Sequence, residues 1–301
     1  MSNKYSAFLA NLAILFCLEA YEPEALDKNF IIESEVKSNV EDLIIDIPKV
    51  SGTISNFPWV DDIEFLKAQE ENNANVLMAG YCTVLKDPLP GEEYNVHLAA
   101  NFLSGTVLKP GEVFSQNQYL GPYVEEKGYK KGPTYIGANL TTTIGGGVCK
   151  ISSTLYNVSI LSNLEIVERH NHSMPVPYVP YGQDATVSYG AKDFKFKNNT
   201  DSPILIWAKG IDNRLYMGFY SSEKPPEIEW QHNISNVVEA PRYYRENPEL
   251  EKGEEKIIVE GMDGATVESS IIIKDKDGNV ETKKLGSSYY IPMPYVIEIG
   301  R

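Results

Sequence analysis

The chain has 301 residues, 42% of them hydrophobic and 23% charged, an ordinary globular composition that fits roughly two domains. Its 42 acidic residues against 27 basic ones leave a formal charge of -15. That balance argues against a nucleic-acid partner, which needs clustered Lys and Arg, and against strong electrostatic docking to anionic membrane surfaces. The three cysteines, Cys17, Cys82 and Cys149, form no CxxC pair, so a thioredoxin-type motif or zinc knuckle is not expected.

Residues 1–20 hold an apolar run, Ala7 to Leu18, after a single Lys4. It is too short for a membrane span of about 20 residues. It reads equally as the core of a signal peptide, with Ala20 near a cleavage site, or as a buried N-terminal helix. Residues 21–75 are an acidic extension with a short strand-like LIIDIP and a helical segment from Asp61 to Glu71. Residues 76–222 read as a mixed domain. Its elements are a buried strand in VLMAGYCTVL, a helix from Glu93 to Leu103, and short strands around the Lys109-Pro110-Gly111-Glu112 turn. Tyr119 to Gly147 is loop and strand, and Lys150 to Leu161 is the clearest helix, with Ile151, Leu155, Val158 and Leu161 spaced three or four apart. Strands follow at Ala185 to Tyr189, Asp193 to Lys197, Ile204 to Ala208 and Arg214 to Tyr220. A linker is placed at 223–237. Residues 238–301 read as a small, extended all-β module with strands near 256–260, 270–273 and 295–299, and with the turn dipeptides Asp263-Gly264 and Asp277-Gly278 between them. The fold class is therefore α+β.

Chemistry concentrates at Gly145-Gly146-Gly147-Val148-Cys149. Glycines lack Cβ atoms and let a backbone approach closely. A thiol at a helix N-terminus tends to ionise more easily. The amides of the first helical turn are candidate oxyanion donors. A nucleophilic cysteine needs a base, and His170 and His172 lie in Arg169-His170-Asn171-His172-Ser173. Asp184 is positioned in sequence to orient a histidine. The bland alternatives are a small buried cysteine, a surface His-x-His pair and a turn-capping aspartate. The spacing matches no metal motif, and no cofactor is expected.

These blocks resemble the VanW family of bacterial proteins, named for a gene of vancomycin-resistance clusters. The matching segments are LKPGEVFS (Leu108 to Ser115), Gly121-Pro122, IGGGVC (Ile144 to Cys149), SSTLYN (Ser152 to Asn157), ERHNHS (Glu168 to Ser173), YVPYGQDATV (Tyr178 to Val187) and DFKFKNNTD (Asp193 to Asp201). Two positions depart from the family pattern: Lys150 stands where Gln is usual, and Tyr123 where Arg is usual. Residues 238–301 are similar to the glycine-rich G-five domain, through Asn247 to Gly253, Glu260-Gly261, Gly264, Gly278 and Gly300. The resemblance implies a VanW-like domain followed by a G-five-type β-module at the cell surface. It also implies peptidoglycan or an N-acetylglucosamine-containing glycan as partner. Two functions are compatible with it: cysteine-based binding or remodelling of peptidoglycan, and a non-catalytic glycan-binding scaffold. Tyr243, Tyr244, Tyr289 and Tyr290 could stack on sugars or pack the edges of a thin sheet. A Cys149 thiol in reach of a histidine and open to solvent favours catalysis; one buried among aliphatic side chains favours the scaffold.

Overall fold

The computed structural model describes residues 47–86, 88–136 and 139–301. The apolar run at 7–18, Cys17 and most of LIIDIP lie outside them. The described chain runs β1 (Gly52–Thr53), α1 (Ile63–Asn72), β2 (Val76–Val84), α2 (Glu92–Leu103), β3 (Thr106–Leu108), β4 (Val113–Ser115), α3 (Gln116–Leu120), β5 (Lys131–Ile136), β6 (Asn139–Ile144) and α4 (Cys149–Leu161). It continues through β7 (Glu165–Glu168), β8 (Lys195–Lys197), β9 (Ile204–Ile211) and β10 (Arg214–Ser221). Six further strands close the chain: β11 (Glu227–Val238), β12 (Arg242–Glu246), β13 (Glu255–Val259), β14 (Gly264–Lys274), β15 (Val280–Tyr290) and β16 (Tyr295–Ile299). Helices and strands are thus mixed through the first part, and strands alone follow α4. None of the described helices is long and apolar enough to cross a membrane.

A five-stranded antiparallel sheet, ordered β1-β2-β10-β9-β3, organises the first part. Both of its faces are covered, which is why β2, β9 and β10 are apolar in near-continuous runs rather than in strict alternation. Ile204, Ile206, Leu215, Met217 and Phe219 face one core with α2 and α4. Leu205, Trp207, Tyr216 and Tyr220 face a second cluster built by Phe57, Trp59 and Phe65. In that second cluster Trp59 Nε1 donates to the Tyr220 hydroxyl at 3.0 Å, which satisfies the buried indole.

The helix α4 is central. Residues Ile151 to Ile160 are all buried, so the apolar stripe Ile151-Leu155-Val158 is only one of its covered faces. Part of its polar side is satisfied locally, while Ser152 Oγ, Asn157 Oδ1 and Ser159 Oγ are buried without a partner. Thr83 and Thr154 hydroxyls bond at 2.7 Å. Ser153 Oγ donates to the Ala185 carbonyl at 3.1 Å and accepts from the Ala185 amide at 3.0 Å. Asn157 Nδ2 donates to the Gln183 carbonyl at 2.8 Å. The segment expected as a strand at Ala185 to Tyr189 is instead a loop with one isolated bridge, Ser188 to Lys192. Its backbone spends its hydrogen bonds on Ser153 and on the His170 carbonyl rather than on a neighbouring strand.

Residues 227–237, read in the sequence as part of a linker, form most of β11, which pairs with β14 from Glu227–Lys274 onward. The module contains two three-stranded sheets, β11-β14-β15 and β12-β16-β13. In the first sheet Ile228, Trp230, Ile271, Ile273 and Leu285 pack against the main core of the preceding domain.

Candidate functional site

The glycine run places Cys149 at the first position of α4. Gly146 is required by close approach: a Cβ there would lie 2.1 Å from the Gly132 carbonyl oxygen. Gly147 adopts φ of +102°, a region that disfavours side chains. Asn95 of α2 fastens the segment, donating from Nδ2 to the Lys130 and Gly146 carbonyls at 2.8 and 2.9 Å. The tight turns take up amides that the sequence suggested as oxyanion donors: those of Val148, Lys150 and Ile151 donate to the Gly145, Gly147 and Val148 carbonyls.

Three of the four sequence candidates come together. Asp184 is 1% exposed, and its Oδ2 accepts from His172 Nδ1 at 2.6 Å and from the His172 amide at 2.7 Å. Nδ1 is committed to the carboxylate, and the imidazole and the Cys149 thiol are close enough to shift each other's ionisation. Cys149 is partly exposed, and its Sγ lies 3.4 Å from Thr186 Oγ1 and 3.7 Å from the Val187 carbonyl. The tyrosine ring of Tyr178 stands edge-on to the imidazole, with centroids 6.5 Å apart. The thiol therefore lies between the two cases: it is partly exposed beside a histidine, and it also packs on the edge of the main core.

The electrostatics follow from this geometry. Burial raises the Cys149 pKa, but the hydrogen bond and charge of His172, with the Thr186 hydroxyl, outweigh it and bring the thiol down to about 7. Burial lowers the pKa of His172, yet the hydrogen bonds and negative charges of Asp184 and Cys149 lift it to about 9. Asp184 is raised by burial and lowered more by His172 and Arg169, so it stays below the usual carboxylate range. Between about pH 7 and about pH 9 the favoured state is a thiolate–imidazolium–carboxylate series. Cys82 shows the contrast: with no such partner, burial in β2 pushes its thiol up to about 12.

The fourth candidate, His170, turns away. Its Nε2 bonds Glu168 Oε1 at 3.0 Å, and Glu168 also pairs with Lys195 at 2.7 Å. The His-x-His pair thus does not converge, because 169–172 is irregular backbone rather than a strand. Two residues with no expected role at this site complete it. Arg169 Nε donates to the Asp184 carbonyl at 2.8 Å, and its Nη2 pairs with Asp184 Oδ1 at 3.1 Å. The Tyr290 hydroxyl donates to the same Oδ1 at 2.5 Å. Tyr290 is 2% exposed and so is not free to stack on a sugar, whereas Tyr243, Tyr244 and Tyr289 are exposed. The arginine could be noticed in the ERHNHS block, but nothing local signals the tyrosine, more than a hundred positions from the aspartate.

With the glycine turn, helix and following blocks placed, the family model described as VanW like protein matches residues 91–220. Residues 91–220 are a VanW-like domain. Two curated relatives share this region. The chain is 41% identical over 143 residues to the uncharacterized protein YoaR of Bacillus subtilis (strain 168), covering 48% of this chain and 47% of that protein. It is 35% identical over 139 residues to the vancomycin B-type resistance protein VanW of Enterococcus faecalis (strain ATCC 700802 / V583), covering 44% of this chain and 50% of that protein. The chain therefore spans about half the length of these relatives. Among solved structures, the IgA1 protease G5 domain is similar at 25% identity and a TM-score of 0.16, covering 27% of this chain and 96% of its own. The HP0197 G5 domain gives 18% identity and a TM-score of 0.15, with coverages of 25% and 99%.

Both departures of this VanW-like domain have local partners. Lys150 forms an ion pair with Glu92, and its Nζ lies 4.6 Å from the Tyr178 ring centroid. Tyr123 donates from its hydroxyl to Asn117 Oδ1 at 3.1 Å and accepts from Gln116 Nε2 at 3.3 Å. The lysine side chain is thus engaged in holding α2 to α4.

Proposed function

We propose that this chain is a cell-wall-associated protein of the bacterial envelope whose VanW-like domain remodels peptidoglycan with Cys149 as nucleophile, His172 as acid and base, and Asp184 as its anchor. The observation that carries this reading is the series from Asp184 through His172 to a partly exposed Cys149. The reaction class it fits is acyl transfer. Sγ attacks the carbonyl carbon of an amide, forming a C–S bond while the carbonyl electron pair moves onto oxygen. Collapse of that adduct breaks the C–N bond, and the departing amine takes a proton from His172. Water or a second amine then loses a proton to His172 and attacks the thioester, returning the thiolate. Water gives hydrolysis and an amine gives transfer.

A second reading, a non-catalytic glycan-binding or scaffold protein, has one observation in its favour. A cleft of about 570 Å³ on the β11-β14-β15 sheet is lined by polar groups including Gln231, His232, Asn233, Glu268 and Lys284. Neutral and charged hydrogen-bonding groups on a concave surface suit a polyhydroxylated ligand.

One experiment separates the two. Purified peptidoglycan is incubated with the full chain and with Cys149→Ala and Cys149→Ser variants. Sedimentation reports retention, and mass spectrometry reports products. The proposal expects new products with the native chain and loss of at least roughly a hundredfold in both variants, the scale of removing a group essential to chemistry. Retention without products, unchanged by Cys149→Ala, supports the scaffold instead.

A further inference from the structure

We infer that Tyr290, supplied by the C-terminal β-module, is a positioning residue for the Cys149 centre. The inference rests on the proposed nucleophilic role of Cys149 and deepens it. Asp184 has two carboxylate oxygens with different duties. Its Oδ2 holds the histidine, through both Nδ1 and the backbone amide of His172. Its Oδ1 is held from the opposite side by Arg169 Nη2 and the Tyr290 hydroxyl. Fixing Oδ1 fixes the rotation of the carboxylate, and hence the direction in which Oδ2 presents its lone pairs to the imidazole.

Tyr290 is built for this place. It is fully enclosed, stacks edge-on with Tyr181 at 5.5 Å, and its oxygen also accepts from the Gly182 amide at 3.0 Å. Arg169 reaches the same strand, donating from Nη1 to Ser288 Oγ at 2.7 Å. Two more links, one backbone and one from a side chain, seat the strand end on the histidine loop: the Ile291 amide donates to the Ser173 carbonyl at 2.8 Å, and Asn171 Nδ2 to the Tyr289 carbonyl at 3.0 Å.

The strand's register shows how Tyr290 comes to face inward. Side chains alternate along a strand, so a strand with Leu285 on the core would next turn Ser287 and Tyr289 inward. A bulge interrupts the pairing: Ser269 sits opposite Gly286 and Ser270 opposite Lys284, leaving Leu285 as the extra residue. Gly286 takes φ of +104° there. Past the bulge the alternation is inverted, so Ser288 and Tyr290 are buried while Ser287 and Tyr289 are exposed. Bulges beside functional sites commonly re-aim side chains in this way.

The test follows the pH dependence of iodoacetamide alkylation at Cys149 by mass spectrometry, with Cys82 as the internal slow thiol. It compares the full chain with Tyr290→Phe and, as a control, Tyr289→Phe, with folding checked by circular dichroism. The native midpoint is expected near 7, rising by at least half a pH unit in Tyr290→Phe as the carboxylate loses its fixed rotation, and staying in place in Tyr289→Phe. A native midpoint near 7 with an unchanged or lowered midpoint in Tyr290→Phe overturns this inference alone. A native midpoint near 9 overturns the nucleophile reading itself. Ser288→Ala gives a second route to the same clamp, and should move the midpoint in the same direction by releasing Arg169.

Discussion

The pairing of Cys149 with His172 depends on a carboxylate that is almost wholly out of water. An ionised carboxylate in that setting is stable only because every approach to it carries a donor: Arg169, Tyr290, and the backbone amide and Nδ1 of His172. Two opposite pH trends follow. The Cys149 pKa is depressed, so its stabilisation is present above the ordinary thiol value and is lost as pH falls through about 7. The His172 pKa is raised, so its stabilisation is present below the ordinary imidazole value and is lost as pH rises through about 9. The ion pair is therefore the dominant state between those limits. Asp184→Asn removes its anchor and leaves the Arg169 guanidinium without a carboxylate. The variant is expected to lose about 3 kcal/mol of stability, measured by urea denaturation, and to move the alkylation midpoint of Cys149 up toward 9. A midpoint that stays near 7 would mean that Asp184 does not set the state of the pair. At this scale the sequence was informative where residues are close along the chain. Cys149, His172 and Asp184 sit within a few blocks of one another. His170 was indistinguishable from His172 on sequence, because only the irregular backbone at 169–172 decides which ring turns inward.

At the scale of elements, α4 determines how the rest of the domain is arranged. A helix with one apolar stripe normally lies on a surface, yet α4 is enclosed, and its Ser, Thr and Asn residues are what allow loops to close over it. The helix limits, the buried strand β2 and the core strands β9 and β10 were legible from periodicity and apolar runs. The loop at 185–189 was not, because its alternating composition mimics a strand while its hydrogen bonds go to a helix side chain. The bed of α4 is also held from behind by Asn95, whose amide and carbonyl serve three backbone groups: the Lys130 and Gly146 carbonyls and the Lys130 amide. Asn95→Ala leaves those groups without partners, the Gly146 carbonyl in a buried site and the Lys130 groups in a half-buried one. It is expected to cost about 3 kcal/mol, since each buried unsatisfied group costs about 1–3 kcal/mol. Thermal unfolding followed by circular dichroism measures the loss. Asn95→Asp should fare little better, because it supplies an acceptor where two donors are needed. Stability equal to the native chain in both variants would show that the glycine turn holds without α2.

At the scale of the whole molecule, the sequence suggested a domain, a linker and a separate module, and the contacts describe something more continuous. The linker placed at 223–237 rests on its polar, proline-bearing start at 223–226, a local signal that carries no information about what packs across it. The strand β11 starts at Glu227, directly after that stretch, and its inward side chains join the core of the preceding domain. Trp230 meets Tyr156 of α4 edge-on, with ring centroids 5.6 Å apart, and Ile271 opposite it on β14 is 2% exposed. The β12-β16-β13 sheet is different: Tyr243, Tyr244, Ile257 and Ile258 are exposed, and Ile297 is its fully buried apolar residue. The first sheet should therefore unfold with the VanW-like domain, and the second should open more easily. Ile271→Ala tests the coupling. Removing a buried isoleucine side chain costs about 2–5 kcal/mol. If the sheet shares the domain's core, the loss lowers a single transition seen both by near-ultraviolet circular dichroism of the whole chain and by alkylation of the deeply buried Cys82. Two separated transitions, with Cys82 protected through the first, would instead mean that the first sheet melts without the domain. Hydrogen exchange completes the comparison: amides of β14 should exchange at the rate of those in β2, and amides of β12 and β13 faster, because they lie in a sheet with little apolar cover.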